Sequence, residues 1–398
     1  MKTASNRLFF IDAMRAWAIL MMLQGHFIDG LLDPIFRDSE NPVYGTWLYF
    51  RGITAPVFFT VSGFIFTYLL LRAPIQGPSN PRIRKGIKRG LQLLLIGYAL
   101  RLNLFGLFKG TIYNGFYLVD VLHCIGLSIL AIIGFYKLTV KKNTWLFPLV
   151  LVSTTLLLFL FEPLYKQWTF SFLPPGLANY FTKTNGSVFT IIPWLGYTTI
   201  GASLSILFIR YKNLKYLYPF AILGSLLLGV GLIQFSSPLF MYLFKTTDIA
   251  LFQLVFSNNY LFIRLGDVFV VFAVFMLFRQ FLTHSTLLKI GSNTLSIYVI
   301  HFIILYGSFT GLGLYKFFHH ELSPLVAIIG AVLFMISCTY LALVYDTNEV
   351  AIKNKLGYLR RLLIARLLLL WIKGMPLVKE AFVKFRVGIL RFLASAKN

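Results

Sequence analysis

Apolar residues in this chain come in runs of about twenty, the length that crosses a bilayer as a helix. Ten runs are read, at 8–30, 47–71, 87–108, 117–136, 144–161, 188–209, 214–235, 251–278, 287–309 and 323–345. The polar segments between them alternate in charge. Between the second and third runs lie Arg72, Arg82, Arg84, Lys85, Lys88 and Arg89 with no acid. Later segments on that side carry Lys137, Lys141 and Lys142, then Arg210, Lys212 and Lys215, then Arg279 and Lys289. The segment after the first run instead holds Asp29, Asp33, Asp38 and Glu40 against Arg37. Basic loops stay in the cytoplasm, so both termini are expected inside.

This pattern predicts an all-α polytopic membrane protein of about ten transmembrane helices. Residues 1–346 form its membrane domain and 347–398 a basic amphipathic tail. From Ala351 onward there are eleven Lys/Arg and one acid, Glu380, among Leu, Ile, Val and Phe. LRRLLIARLLLLWIK and VKEAFVKFRVGILRF carry too much charge to span. They suit helices lying on the anionic inner leaflet, and they can equally dock a membrane-protein partner.

Composition agrees: 58% of the 398 residues are hydrophobic and 13% charged, about half the charged share of a soluble domain. The net charge of +24 sits mainly in alternate loops, so it reads as topology and no nucleic-acid partner is expected. Cys124 and Cys338 both fall in apolar runs and read as inert buried thiols, with neither disulfide nor metal spacing. The first run carries Asp12 and Arg15 and no small-residue cleavage site follows it, so it is expected to be retained.

Ionisable residues inside the runs are the candidate chemistry, because burying them in lipid is costly. Arg15 and His26 are eleven positions apart, which returns them to one helix face with about 16 Å between them. Asp12 lies one turn before Arg15 on nearly the same stripe. With the orientation above, Arg15 is toward the cytoplasm and His26 toward the outer side. Asp120 and His123 stand one turn apart at the outer end of the fourth run. Arg101 and Asn103 lie in the outer half of the third, and His301 lies about 20 Å along the ninth, which Asn293 helps to open. Arg264 and Asp267 open the eighth.

Histidine is the usual general base toward a hydroxyl or amine. Asp120 can orient an imidazole, and an arginine can stabilise an oxyanion. Structural readings stand beside these: an Asp120–His123 pair, an Arg264–Asp267 ion pair, His301 or Asn293 bonded to a neighbouring helix, Arg51 snorkelling outward. His319, His320 and Glu321 read as solvated loop residues. No P-loop, HExxH, CxxC or GxSxG motif occurs, and no metal is expected.

RLFFIDAMRAWAILMMLQGHF resembles the opening of the transmembrane acyltransferase superfamily, and RGITAPVFFTVSGFIFTYLL resembles the segment that follows it there. DVLHCIGLSIL, IIPWLGYTTIGASL and IGSNTLSIYVIHFIIL are closer to the heparan-α-glucosaminide N-acetyltransferase-like branch than to the acyltransferase-3 branch. The similarity covers most of residues 7–310. It implies transfer of an acyl group, usually acetyl, from cytoplasmic acyl-CoA to an acceptor at the outer side. By that resemblance His26 is the catalytic base or acyl-handling residue, supported by Arg15 and Asp12. Asp120, His123, Arg101, Asn293 and His301 assist. Arg82, Arg84, Lys85, Lys88 and Arg89 are candidates for the CoA phosphates, although topology signalling explains them equally well. No large luminal domain is seen. The expected acceptor is a glycan or lipid-linked sugar of a bacterial envelope, and the expected location the bacterial inner membrane. A transporter or flippase using the same buried charges, or a non-catalytic subunit on this scaffold, stands as the alternative.

Overall fold

The computed structural model describes residues 8–395. Among them there is no β-strand. The principal helices are α1 (Phe9–Leu31), α2 (Pro42–Leu71), α3 (Pro81–Arg101), α4 (Val121–Thr139), α5 (Leu146–Leu160) and α6 (Ile191–Arg210). They continue with α7 (Leu217–Thr247), α8 (Tyr260–Leu277), α9 (Ser285–Ser292), α10 (Thr294–Tyr306) and α11 (Pro324–Ser395). Among the described residues six helices are long and apolar enough to cross a membrane, and the bent α9–α10 pair would make a seventh. The chain is an all-α integral membrane protein. Only 11% of the apolar window of α7 is buried, which suits a helix that faces acyl chains.

Helix starts are written in side-chain chemistry. Asn41 precedes Pro42, and its Oδ1 accepts from Val43 N (3.0 Å) and Tyr44 N (3.2 Å). Asn80 precedes Pro81; its Oδ1 accepts from Arg82 N (2.9 Å) while its amide donates to Leu70 O (2.9 Å), tying the end of α2 to α3. Such caps satisfy the orphan N–H groups of a first turn. Packing then depends on close backbone approach. A Cβ on Gly63 would fall 1.9 Å from Thr198 O, and one on Gly201 1.9 Å from Thr60 O. The two glycines thus let α2 and α6 cross in contact, the small-residue mode of membrane helices. Beside this crossing Phe10, Phe64, Phe208 and Phe272 form an aromatic cluster.

Several expected boundaries shift. The basic residues 82–89 belong to the first turns of α3 rather than to a loop, because the Asn80 cap starts the helix early. The third apolar run is cut after Arg101: Asn103 accepts from Gly106 N (2.9 Å) and starts a separate short helix, Leu104–Phe108. The eighth run is likewise two helices, Ala250–Ser257 and Tyr260–Leu277. The ninth is broken at Asn293, with α9 and α10 bent by 71°. The tenth does not stop near 345 but continues through the basic stretch as α11. The chain divides into two compact units between Ala342 and Leu343. The second is helical, with Arg360, Arg361 and Arg366 exposed alongside Leu362, Leu363 and Leu367.

Candidate active site

A cavity of ≈ 910 Å³ opens where the C-terminal ends of α1 and α3, the N-terminal end of α2, the segments before α4 and α6, and α10 meet. His26 of α1 and His301 of α10 line it together. Their rings stack, with centroids 5.5 Å apart and planes 19° from parallel. His26 Nδ1 shares a hydrogen bond of 3.2 Å with the hydroxyl of Tyr306, which ends the helix that carries His301. His301 is 1% exposed, and among the described residues neither of its ring nitrogens completes a hydrogen bond.

Two ion pairs edge the cavity. Arg101 Nε donates to Asp120 Oδ2 at 3.2 Å, and Arg51 pairs with Asp29. Asp120 is also the N-cap of α4: its Oδ1 accepts from Leu122 N (3.1 Å) and lies 3.0 Å from His123 Nδ1. His123 itself is fully buried behind Asp120, against Gly97 of α3, where a Cβ would fall 2.5 Å from its ring. It does not line the cavity. Asn103 does line it, as do Trp194, Phe189 and Tyr315.

The remaining sequence candidates fall elsewhere. Arg15 donates to Thr294 Oγ1 (3.0 Å) and lies 3.7 Å from Asp12, at the α9–α10 break. Gly291 there abuts the Asp12 backbone, where a Cβ would fall 2.0 Å from Asp12 O. Asn293 sits at that break and not on the cavity wall. Arg15 and Asp12 thus brace the bend, while His26, on the same helix face, reaches the cavity. Arg82, Arg84, Lys85, Lys88 and Arg89 stand at the opposite end of α3 from Arg101. Arg264 and Asp267 do not join the cavity either. They pair at 2.9 Å, with Asp267 accepting from Tyr49 Oη (2.6 Å) and Arg264 over the Tyr49 ring, 4.6 Å from its centre. Arg51, read as snorkelling outward, pairs with Asp29 and stays about half exposed.

Tyr306 and Lys183 are wall residues that sequence reading passed over, and Asp29, read there only as a loop charge, is another. Tyr306 closes an otherwise apolar run and offered only a polar tip as a signal. Lys183 was one of few charges in its outer segment. Desolvation at the cavity edge lowers the Lys183 ammonium below the ordinary lysine range; nearby Glu162 opposes this and Lys166 adds to it. Among the described residues no cluster of three His, Cys, Asp or Glu is placed to hold a metal.

One protein-family model matches this chain over residues 7–246: heparan-alpha-glucosaminide N-acetyltransferase, catalytic. No curated protein sequence matches it. The matched stretch takes in α1 to α7, and so His26, Arg101, Asp120 and Lys183, but stops short of His301.

Proposed function

The chain belongs to the heparan-alpha-glucosaminide N-acetyltransferase catalytic family, and on that premise we propose that it is a membrane acyltransferase moving an acetyl or similar short acyl group from acyl-CoA to a glycan or lipid-linked sugar. The observation that carries the site is the stacked His26–His301 pair on the wall of a ligand-sized cavity. In the tautomer whose Nδ1–H donates to the Tyr306 oxygen, His26 keeps the Nε2 lone pair for use as a base. It takes the proton of the acceptor hydroxyl or amine as that atom attacks the thioester carbonyl. The C–S bond then breaks, and the imidazolium returns the proton to the departing CoA thiolate. Arg101 supplies positive charge for the tetrahedral oxyanion.

The donor route follows α3. Its basic first turns lie at one end and the cavity residue Arg101 at the other, about 18 Å on from Arg89. In the proposed orientation of ten spans, with both termini cytoplasmic, the basic end meets cytoplasmic CoA and the cavity faces outward. The basic residues after 347 supply charge that anionic lipid of a bacterial inner membrane would attract. A transporter reading calls for interrupted spans repeated in two related halves, whereas among the described residues one bent pair occurs.

The test is acetyl-CoA binding and thioester cleavage by the purified full chain in detergent. Wild type and His26→Ala should bind acetyl-CoA alike, while the variant loses cleavage and transfer by about 10² to 10⁴-fold. Full transfer by a folded His26→Ala protein would remove His26 from the chemistry. No binding by either would remove the acyltransferase reading.

A further inference from the structure

The Arg101–Asp120 pair marks a depth in the membrane. Basic side chains exposed on a helix stay out of the hydrocarbon layer, so Arg89 of α3 and Lys137 of α4 lie toward one membrane surface. From Arg89 to Arg101 is about 18 Å, and from Lys137 to Val121, which Asp120 caps, about 24 Å. Both fall short of the roughly 30 Å of hydrocarbon. Residues 102–113, which follow Arg101, therefore begin at the far edge of the acyl layer rather than in water. Their side chains fit that depth. Phe105, Leu107, Phe108 and Ile112 are all exposed, Phe108 at 85%. The one charge in this segment is Lys109, whose long stem can carry its ammonium to the headgroups. The backbone fits too. The N–H of Gly106 donates to Asn103 Oδ1 (2.9 Å) and that of Thr111 to Gly106 O (2.9 Å). The N–H groups of Leu107, Lys109 and Gly110 donate to Asn103 O, Gly106 O and Leu107 O, each at 3.0 Å. Backbone that closes its own hydrogen bonds is what contact with lipid demands.

The same segment forms part of the cavity wall. Asn103 and Tyr113 line the cavity, and apolar Phe116, Leu118 and Val121 continue the wall beyond them. Tyr113 is seated by the turn itself, since a Cβ on Gly106 would fall 2.4 Å from its ring. Apolar surface thus runs from the exposed Phe108 and Ile112 toward the space that His26 lines. An exposed apolar patch at the rim of a cavity marks an interaction site, and at this depth its partner is lipid. We propose that residues 104–113 dock on the acyl chains of the adjoining leaflet and form the rim of a lateral mouth, through which a sugar carried on a lipid reaches the cavity with its chain still in the membrane. Naming that lipid-borne sugar as the acyl acceptor rests on the acyl-transfer reading; the lipid contact and the mouth do not.

The experiment reads location and binding, so it does not depend on turnover. The full-length protein in nanodiscs of phosphatidylcholine and phosphatidylglycerol carries a bimane label at Phe108→Cys or, as an exposed polar control, at Lys141→Cys; the native Cys124 and Cys338 are buried. Doxyl-labelled phosphatidylcholine should quench the label at 108 and iodide should not, with the reverse at 141. A dodecyl glucosaminide bearing a diazirine in its chain is then photolysed with the unlabelled protein and its adducts are mapped. They should fall on Tyr113 and Phe116, and unlabelled dodecyl glucosaminide should compete for them where dodecanol does not. Their yield should drop about tenfold in Phe105→Ser/Phe108→Ser, whose altered side chains are exposed. Iodide quenching at 108 overturns the proposal by placing the segment in water. Quenching there by neither reagent overturns it in favour of a covering protein. Adducts confined to lipid-facing helices such as α7, or a yield that the double variant leaves unchanged, overturn the mouth. Competed adducts on Tyr113 and Phe116 in a protein that moves no acetyl group would sustain the lipid route while striking the function assigned to it.

Discussion

His301 stacks on His26, 5.5 Å between ring centres, yet neither of its nitrogens completes a hydrogen bond to the protein among the described residues. Stacking fixes the ring of the proposed base, and a rigid ring is what a near-attack geometry needs. Buried polar atoms left unmatched by the protein are rare, and at a cavity wall they point to a ligand. His301→Phe separates the two roles, since phenylalanine keeps the ring face and loses the nitrogens. We expect this variant to fold and to bind acetyl-CoA normally, with transfer slowed by about 10²-fold. Steady-state kinetics beside acetyl-CoA calorimetry checks it; wild-type turnover would leave His301 with stacking alone.

Asp120 serves three partners: the first turn of α4, His123 and Arg101. Substitutions should therefore grade by how many bonds they keep. Asp120→Asn retains an oxygen for the Leu122 N–H and loses the charge. Asp120→Ala also loses the cap, worth about 1 kcal/mol, and leaves Arg101 unpaired at the cavity edge. Thermal unfolding in detergent should rank wild type above Asp120→Asn above Asp120→Ala. Equal loss in both variants would mean that the cap contributes nothing measurable.

The helical membrane architecture was legible because apolar run length acts locally along the chain. His26, which an imidazole's cost in a span singled out, lines the cavity. What failed to show was set by contacts between distant segments. Arg15 and His26 share a helix face, but the fold gives Arg15 to Thr294 at the α9–α10 bend and sends His26 alone to the cavity. No periodicity announces that Asn293 will break a run whose composition is continuous, or that Asn103 will cut another. Lys183 reaches the wall only because Ser187 and Asn179 bond to residues more than sixty positions earlier. Reading one span at a time cannot find such a residue.

The α2–α6 crossing offers a stability prediction independent of chemistry. Any side chain at Gly201 must displace the Thr60 carbonyl, because even a Cβ would lie 1.9 Å from it. Gly201→Val forces the two helices apart, and overpacking of this kind costs about 1 to 3 kcal/mol. The melting temperature should fall clearly. Gly224→Val is the control, since nothing lies within 4 Å of a Cβ there, and its melting temperature should stay close to wild type. A Gly201→Val protein as stable as that control would contradict the close approach.

The basic turns of α3 have two explanations, retention in the cytoplasm and attraction of CoA phosphates, and one variant set separates them. Lys85, Lys88, Arg84 and Arg89 are exposed and Arg82 partly so, and Asn80 anchors the helix start without using their side chains. Their charges are thus free to meet a polyanion. Replacing all five by Gln leaves the helix and its cap in place while removing five positive charges. If the turns hold CoA, acetyl-CoA affinity should fall by about tenfold or more, since each exposed charge pair contributes up to about 1 kcal/mol. The dependence of wild-type affinity on salt should flatten in the variant, because screening acts on the charges that were removed. Accessibility labelling of a cysteine placed near Gly77 reports whether that segment has stayed on its original side. With the side unchanged, an unaltered dissociation constant for acetyl-CoA would assign these residues to membrane orientation alone and require another route for the donor.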